Sequence, residues 1–334
     1  MSINNYIPDF FTSENVAKVY RVPYQQRAID AANWQQKYQI TSAQGDRHKV
    51  GLLLIDVQNT FCLPEFELFV GGQSGRGAIE DNIRLCQFIY RHLGSITEII
   101  PTLDTHTATQ IFHPIFWVDE AQQHPTPATT INLDSVRQGK WRVNPNLQSL
   151  GEFSQLEQHA LHYVQKLHEE GKYPLTIWPY HSMLGGIGHA LVAAVEEAIF
   201  FHSLVRQSPT KFELKGNNPL TENYSVLSPE VLDTINNRAI AQKNADLIQK
   251  LLDFDILIIA GQAKSHCVAW TIENLLTEIQ AIDPKLAQKI YLLEDCMSPV
   301  VIPGVVDFSE QAERTFGKFA AAGMNLVKST EISF

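Results

Sequence analysis

The sequence predicts an α/β fold, a three-layer, Rossmann-like parallel sheet with helices on both faces. Two continuous aliphatic runs, at residues 50–57 and 256–260, have the character of parallel strands that are buried on both sides. The segments that follow them, such as 78–93, carry apolar residues at helical spacing. Strands that alternate with helices along a chain favour a parallel sheet covered on both faces.

The other predicted elements continue this alternation. Further strands are predicted over 96–103, 174–178, 210–214, 289–293 and 324–327, and further helices over 154–170, 188–205, 238–252, the segment that begins near Cys267, and 309–322. Residues 1–47 are weakly periodic, and we expect an N-terminal arm that packs on the surface or on a second subunit. The main domain is expected over 48–330, with an insertion at about 107–172, where prolines interrupt the pattern.

Composition excludes several classes of function. The 334 residues carry a net charge of −10, which argues against a general affinity for nucleic acid or acidic membranes. The sequence lacks an apolar run long enough to span a bilayer, and its start lacks the pattern of a signal peptide. The four cysteines are widely spaced, which is typical of free thiols in a reducing cytoplasm. These properties are compatible with a homo-oligomer but do not require one.

Chemically useful side chains follow four predicted strands. They are Asp56, Asp104 with His106, Lys215 and Cys267. Carboxyl ends of parallel strands share one edge of a sheet, so these groups are expected to converge there. Cys267 would lie at a strand-to-helix junction, where the helix dipole and free N–H groups stabilise a thiolate or an oxyanion. Taken singly, each residue also has an ordinary explanation: a turn former, a solvated lysine or a small buried cysteine.

Five short motifs in order give the sequence a clear resemblance. It resembles the isochorismatase-like cysteine hydrolases over about residues 50–330, and among them the nicotinamidases. The matching residues are Asp56, Gln58, Asn59 and Phe61; Asp104 and His106; Trp178, Pro179 and His181; Lys215, Gly216, Tyr224 and Ser225; and Gly261, Ala263, Cys267 and Val268.

The resemblance implies a catalytic triad of Cys267, Asp56 and Lys215. The cysteine would attack an amide carbonyl, and backbone N–H groups of Ala263 and Cys267 would hold the oxyanion. The family also places a cis peptide at the position of Gln262–Ala263. The implied reaction converts nicotinamide, or a related aromatic or cyclic amide, to the acid and ammonia through a thioester.

The resemblance also implies a divalent metal held by Asp104, His106 and His181. Two imidazoles and a carboxylate suit Zn²⁺, with Mn²⁺ or Fe²⁺ as alternatives. His113 is either an extra ligand or a structural residue under the insertion. The aromatic residues that would line the substrate ring, or pack in the core, are Phe61, Trp178 and Tyr224. The residues interpreted as structural are His266, Cys62, Cys86 and Cys296.

Departures from the family pattern keep other functions open. Roughly seventy residues separate His106 from Trp178, several times the usual gap, so the insertion is expected to emerge at the edge that holds the site. Thr60 and Ser182 also differ from frequent family residues. A metal-free isochorismatase-type hydrolase and a non-catalytic interaction module therefore remain alternatives to the amidohydrolase.

Overall fold

A six-stranded parallel sheet forms the centre of the protein. The computed structural model describes residues 6–332, so the first five residues of the expected arm lie outside the described part. The order across the sheet is β6-β5-β4-β1-β2-β3, and the bounds of the strands are β1 (Val50–Ile55), β2 (Glu98–Asp104), β3 (Glu213–Lys215), β4 (Ile256–Gly261), β5 (Ile290–Leu293) and β6 (Asn325–Val327). The order reverses between β1 and β4, and ligands of open parallel sheets bind outside such a reversal point.

Helices cover both faces of this sheet. Their bounds are α1 (Tyr24–Tyr38), α2 (Asn59–Cys62), α3 (Gly77–Arg91), α4 (Leu133–Arg137), α5 (Phe153–Glu169), α6 (Ala193–Arg206), α7 (Ala245–Leu252), α8 (Ala269–Ile282) and α9 (Ser309–Ala321). Leu52 and Leu54 of β1 pack with residues of α1, α3 and α6. The alternate residues Leu53 and Ile55 pack with residues of α7, α8 and α9. The predicted three-layer α/β fold is confirmed.

Most predicted helices occur within two residues of their expected bounds, and two begin later. The helix predicted over 238–252 begins only at Ala245, because the side chain of Asn244 caps it by accepting a hydrogen bond from the N–H of Leu247 at 3.1 Å. The helix predicted over 188–205 begins at Ala193. Helix α1 was not predicted, since Ala31 is its one fully buried residue and the apolar periodicity is correspondingly weak.

The strand predicted over 174–178 is wrong as a member of the main sheet. Only Leu175–Thr176 is extended and paired, and its antiparallel partner is Thr130–Ile131. Pro174 and Pro179 flank this segment, and proline cannot donate to a sheet ladder. Two further short antiparallel pairs join Trp117–Val118 to Arg142–Val143 and Val301–Ile302 to Val306–Asp307.

Residues between β2 and β3, together with Val231 beyond β3, pack around a hydrophobic cluster of their own, here called the insertion cluster. It contains Ile111, Phe112, Phe116, Trp117, Ile131, Val143, Leu147, Leu156, Ala160, Tyr163, Val164, Leu167, Leu175, Ile177 and Val231. Helix α5 supplies the largest share of these side chains. The cluster is distinct from the two clusters on the sheet, and it places the segment that follows it beside the carboxyl ends of β2 and β3.

Residues 6–48 lie against the face that carries α6. The Nε of Arg27 lies 2.6 Å from Oε1 of Glu197, and the hydroxyl of Tyr20 donates to Oε2 of the same glutamate at 2.6 Å. The division of the chain at residue 47 stays a prediction. Within the described residues, every helix is too short or too polar to cross a membrane.

Candidate active site

Asp56 leaves the end of β1 in a left-handed backbone conformation, with φ of +48°. Its carboxylate is completely buried. Oδ1 accepts a hydrogen bond from the hydroxyl of Thr102 at 2.6 Å. Oδ2 lies 3.0 Å from the Nζ of Lys215 but accepts no well-directed hydrogen bond from the described residues. This oxygen is therefore the one that can take up a proton.

Lys215 lies between Asp56 on one side and Asp104 on the other. It is the last residue of β3 and pairs with Asp104 in β2. Its Nζ lies 2.8 Å from Oδ1 of Asp104 and 3.7 Å from the Sγ of Cys267, in addition to the contact with Asp56. Burial lowers the pKa of Lys215, but the two carboxylates outweigh burial and hold the pKa well above its usual value. Lys215 is therefore a fixed positive charge between two acids.

Cys267 lies in a π-helical turn, Lys264–Val268, that leads into α8. Its side chain is 8% exposed and faces a cavity. Burial raises the pKa of the Cys267 thiol well above its ordinary value, although the Lys215 ammonium opposes this shift. The expected thiolate is thus not the resting form, and the thiol needs a base at the moment of attack.

The peptide Gln262–Ala263 is cis, as the resemblance implied. Gly261, just before it, packs directly on β1: a Cβ there would lie 2.1 Å from the carbonyl oxygen of Ile55. Only glycine allows the two strands to approach this closely. Ala263, just before the π-helical turn, and Cys267, within it, both line the cavity.

A second group, here called the histidine cluster, lies on the other side of Lys215. It consists of Asp104, His106 and His181, which are all buried and offer ligand atoms within 4.8 Å of one another. Nε2 of His106 lies 2.7 Å and Nε2 of His181 lies 3.4 Å from Oδ2 of Asp104. His181 reaches the cluster from the segment after the insertion cluster, and its ring lies 4.7 Å from that of His106.

The hydrogen bonds of the two rings fit a metal site. Nδ1 of His106 lies 3.0 Å from the carbonyl oxygen of Gly216, and Nδ1 of His181 lies 2.8 Å from that of Pro179. A nitrogen that faces a carbonyl must carry the proton, so Nε2 of a neutral ring presents a lone pair. Both Nε2 atoms face one oxygen of Asp104. Burial lowers the pKa of His106, but Asp104 outweighs burial and raises it, so Nε2 of His106 donates to the carboxylate and a metal ion would replace that proton. Carboxylate and imidazole are ligands that suit Zn²⁺.

The lowered pKa of Asp104 agrees with a site that holds a cation. Burial alone raises the pKa of Asp104, but His106 and Lys215 outweigh burial and hold the pKa well below its usual range. Gly216 (φ +83°) completes the packing, because a Cβ at this residue would lie 2.6 Å from the Cε1 of His106.

His113 is near the histidine cluster but outside it. Its ring centroid lies 5.9 Å from that of His106 and 6.1 Å from that of His181. Its Nδ1 faces the carbonyl oxygen of Ala108 at 3.1 Å, and its buried Nε2 has no hydrogen-bond partner among the described residues. Burial lowers the pKa of His113 to about 3, so the ring is neutral. Its role as an extra ligand stays a prediction.

A cavity of about 260 Å³ joins the nucleophile to the histidine cluster. Its walls include the three predicted aromatic residues, Phe61, Trp178 and Tyr224. The Nε1 of Trp178 donates to the hydroxyl of Tyr224 at 3.2 Å, and the ring of Phe61 lies 5.8 Å from that of His181. These faces suit a flat aromatic ligand between the thiol and the histidine cluster.

Sequence reasoning missed Glu222, which also lines this cavity. Its side chain is 5% exposed, and its Oε2 has no hydrogen-bond partner among the described residues. Burial raises the pKa of Glu222 to about 8. Its position seven residues beyond Lys215 carries no signal in the sequence, because its burial depends on the insertion cluster. The backbone N–H of Glu222 donates a hydrogen bond to the hydroxyl of Tyr163 at 3.2 Å. His266, interpreted as structural, also lines the cavity.

Comparison with solved structures relates this fold to two nicotinamidases. The structure of an Acinetobacter baumanii nicotinamidase and pyrazinamidase matches with a TM-score of 0.50 at 16% identity, over 86% of this chain and 99% of that one. The yeast nicotinamidase bound to the inhibitor nicotinaldehyde matches with a TM-score of 0.51 at 19% identity, over 84% of this chain and 99% of that one. No protein-family profile and no curated protein matches the sequence. The likeness shows the fold that the resemblance implied.

Proposed function

We propose that this chain is a cysteine-dependent amidohydrolase that converts nicotinamide, or a related aromatic or cyclic amide, to the acid and ammonia. The observation that carries the proposal is the buried contact of one lysine with an acid and a thiol. The Nζ of Lys215 lies 3.0 Å from Asp56 and 3.7 Å from Cys267. Burying these charged groups costs stability, so a chain without catalytic activity would have no reason to retain them. Their presence disfavours a non-catalytic module.

Acylation begins when Asp56 takes the proton of the Cys267 thiol. The raised pKa of Asp56, caused first by burial, makes this carboxylate a competent base. Sγ attacks the amide carbon, and the resulting oxyanion is held by the N–H groups of Ala263 and Cys267. The C–N bond then breaks, Asp56 returns its proton to the leaving nitrogen, and ammonia departs. Lys215 keeps the charge of the site balanced throughout.

Deacylation reverses these roles with water. Asp56 takes a proton from a water molecule, and the hydroxide attacks the thioester carbon. The C–S bond breaks, the acid departs, and the proton on Asp56 returns to Cys267. The two half-reactions therefore use the same base and the same oxyanion donors.

The histidine cluster would hold a divalent metal, Zn²⁺ or alternatively Mn²⁺ or Fe²⁺. When bound, the ion supplies a Lewis-acidic anchor for a ring nitrogen of the substrate. Asp104, His106 and His181 would be its ligands, while Phe61 and Trp178 flank the ring of the substrate. The cluster disfavours the metal-free isochorismatase reaction, which has no need of it. The four free cysteines agree with a proposed location in the cytoplasm.

Ammonia release from nicotinamide tests the proposal. We expect turnover by the wild type, loss of turnover in Cys267→Ala, and loss in wild-type protein treated with chelator. Each preparation is also analysed for bound metal. A panel of aromatic, cyclic and aliphatic amides defines the substrate class.

The outcomes separate the alternatives. Wild-type protein that is folded and loaded with metal but releases no ammonia from the panel would support the interaction module. Full turnover in Cys267→Ala would contradict the thioester mechanism. Full turnover in metal-free protein would contradict the role of the histidine cluster.

A further inference from the structure

Gln262, the residue before the proposed oxyanion donor Ala263, is held at three points. Its N–H donates to the carbonyl oxygen of Ile55 at 2.8 Å. Its side-chain Nε2 donates to Oδ2 of Asp81 at 2.8 Å, and its Oε1 accepts from the N–H of Ser298 at 3.3 Å. The side chain is completely buried. The nitrogen and the oxygen of the side-chain amide therefore each have a hydrogen-bond partner.

Asp81 is the charged member of this network. It lies on α3, is 2% exposed, and does not line the cavity. Its Oδ1 accepts a hydrogen bond from Nη2 of Arg84 at 2.9 Å, and the hydroxyl of Ser298 also donates to its carboxylate. A charge-assisted hydrogen bond is shorter and stronger than a neutral one, so Asp81 is the strongest constraint on the Gln262 side chain.

The same network fixes the chain beyond Ala263. The N–H of Lys264 donates to the carbonyl oxygen of Ser298 at 2.8 Å. The Ser298 backbone thus contacts the segment 262–264 twice, once through the side chain of Gln262 and once through Lys264. The N–H of Ala263 lies between these two attachments.

We infer that Asp81 is a positioning residue for the oxyanion hole, acting through Gln262. The inference rests on the proposed amide hydrolysis. The peptide group that joins Gln262 to Ala263 carries the N–H that would meet the oxyanion, so rotation of Gln262 displaces this donor. Oxyanion donors act through fixed direction, and a displacement of about 1 Å costs on the order of 100-fold in rate. Asp81 sets this direction without touching the substrate.

The test compares two reactions of Cys267, of which only one needs the oxyanion hole. Pyridine-3-carboxaldehyde forms a thiohemiacetal: Sγ bonds to the aldehyde carbon, and the oxygen that enters the hole takes the thiol proton. Iodoacetamide forms an S–C bond with loss of iodide, and no oxyanion develops at its carbonyl. Ammonia release is measured beside both reactions, as kcat and KM separately.

Asp81→Leu removes both acceptor oxygens at nearly constant volume. We expect kcat to fall roughly 10-fold to 100-fold and aldehyde affinity to fall by a similar factor. KM and the rate of alkylation by iodoacetamide should stay within about 3-fold, since substrate contacts and thiol activation are unchanged. Asp81→Asn keeps one oxygen for Gln262 and should recover most of the aldehyde affinity.

Leu85→Ala is the matched control on the same helix, because Leu85 is fully buried and does not line the cavity. It should lower the midpoint temperature of unfolding and leave all three reactions unchanged. Asp81→Leu with unaltered aldehyde affinity, or with alkylation reduced as much as aldehyde binding, would overturn the inference. A wild type that releases no ammonia would instead contradict the proposed function, and the aldehyde-to-alkylation comparison would still decide the role of Asp81.

Discussion

Asp56 and Asp104 contact the same lysine, yet the structure sets their pKa values in opposite directions. Asp56 is completely buried, and burial raises its pKa despite Lys215 beside it. Asp104 is also buried, but His106 adds a second opposing group, and the pKa of Asp104 lies well below its usual range. Asp56 directly follows β1 and Asp104 is the last residue of the neighbouring parallel strand β2, so both lie at the carboxyl edge of the sheet.

The difference teaches that the neighbours of an acid, rather than its place in the fold, decide what it can do. Asp56 has a neutral hydroxyl and one cation around it, which allows it to accept and return a proton. Asp104 has a cation and two imidazoles, which hold it as an anion that can bind a metal. In the proposed reaction, the thiol side of the site (Asp56 and Cys267) would transfer protons, and the histidine cluster would hold a cation.

Removal of the nucleophile should produce the largest effect and leave the histidine cluster intact. Cys267→Ala is expected to lower kcat for ammonia release by at least about 10,000-fold. Metal content, measured by inductively coupled plasma mass spectrometry, should stay at the wild-type value. Cys86→Ala, at a buried cysteine on α3, is the control and should retain activity. Loss of metal in Cys267→Ala would show that the two sides are not separable.

Substitution of Asp56, the proposed base, should produce the second largest effect on kcat. Asp56→Asn keeps the shape of the side chain but removes its basicity, so kcat should fall roughly 1,000-fold. Bound metal should be retained. The rate of alkylation of Cys267 should also fall, because the thiol has lost its base. A variant with normal kcat would assign the proton transfer to another group.

Substitution of Asp104 in the histidine cluster should weaken metal binding and leave the thiol of Cys267 reactive. Asp104→Asn is expected to lower metal affinity by more than about 100-fold, because it removes a charged ligand. Cys267 should still react with iodoacetamide, since Asp56 and Lys215 remain. Metal affinity is measured by titration with a chromogenic chelator. Equal affinity in Asp104→Asn and wild type would exclude this residue as a ligand.

Glu230 reproduces the electrostatics of Asp56 outside the cavity and should give the smallest effect. Burial raises its pKa to about 7, although Lys172 opposes this shift with its Nζ 3.5 Å from Oε2. The folded chain keeps a proton that the unfolded chain loses near pH 4.5, so the contribution of Glu230 to stability is present at low pH and disappears as pH rises to about 7.

Glu230→Gln removes this pH dependence. Relative to the wild type, the variant should gain on the order of 2 kcal/mol in free energy of unfolding between pH 4 and pH 8. Urea titrations at both pH values measure the gain. A constant difference between variant and wild type would show that the pKa of Glu230 is the same in the folded and the unfolded chain.

Short, locally encoded features were predictable from the sequence. β1 and β4 are uninterrupted aliphatic runs, and residues such as Asp56 and Cys267 follow them directly, so the strand ends and the candidate site residues emerged together. The same logic failed at Leu175–Thr176, where an apolar segment between prolines pairs outside the main sheet.

Features that depend on distant contacts were not predictable. Glu222 becomes a buried cavity residue only through packing against the insertion cluster, and α1 is defined by its contact with α6 rather than by its own periodicity. Asp81 and Gln262 are separated by 181 positions, and Asp81 belongs to none of the five motifs. Such pairs become visible only when the chain is folded.

The insertion cluster has a consequence for laboratory evolution of this protein. Its apolar side chains pack mainly with one another, while Cys267 and Asp56 follow the ends of β4 and β1. Trp178 and His181 lie at the border between these two units and face the cavity. A library confined to exposed residues of α5 and the loops around it would therefore change the shape of the cavity through small displacements of Trp178 and His181. Substrate preference could then be selected separately from the bond-breaking chemistry.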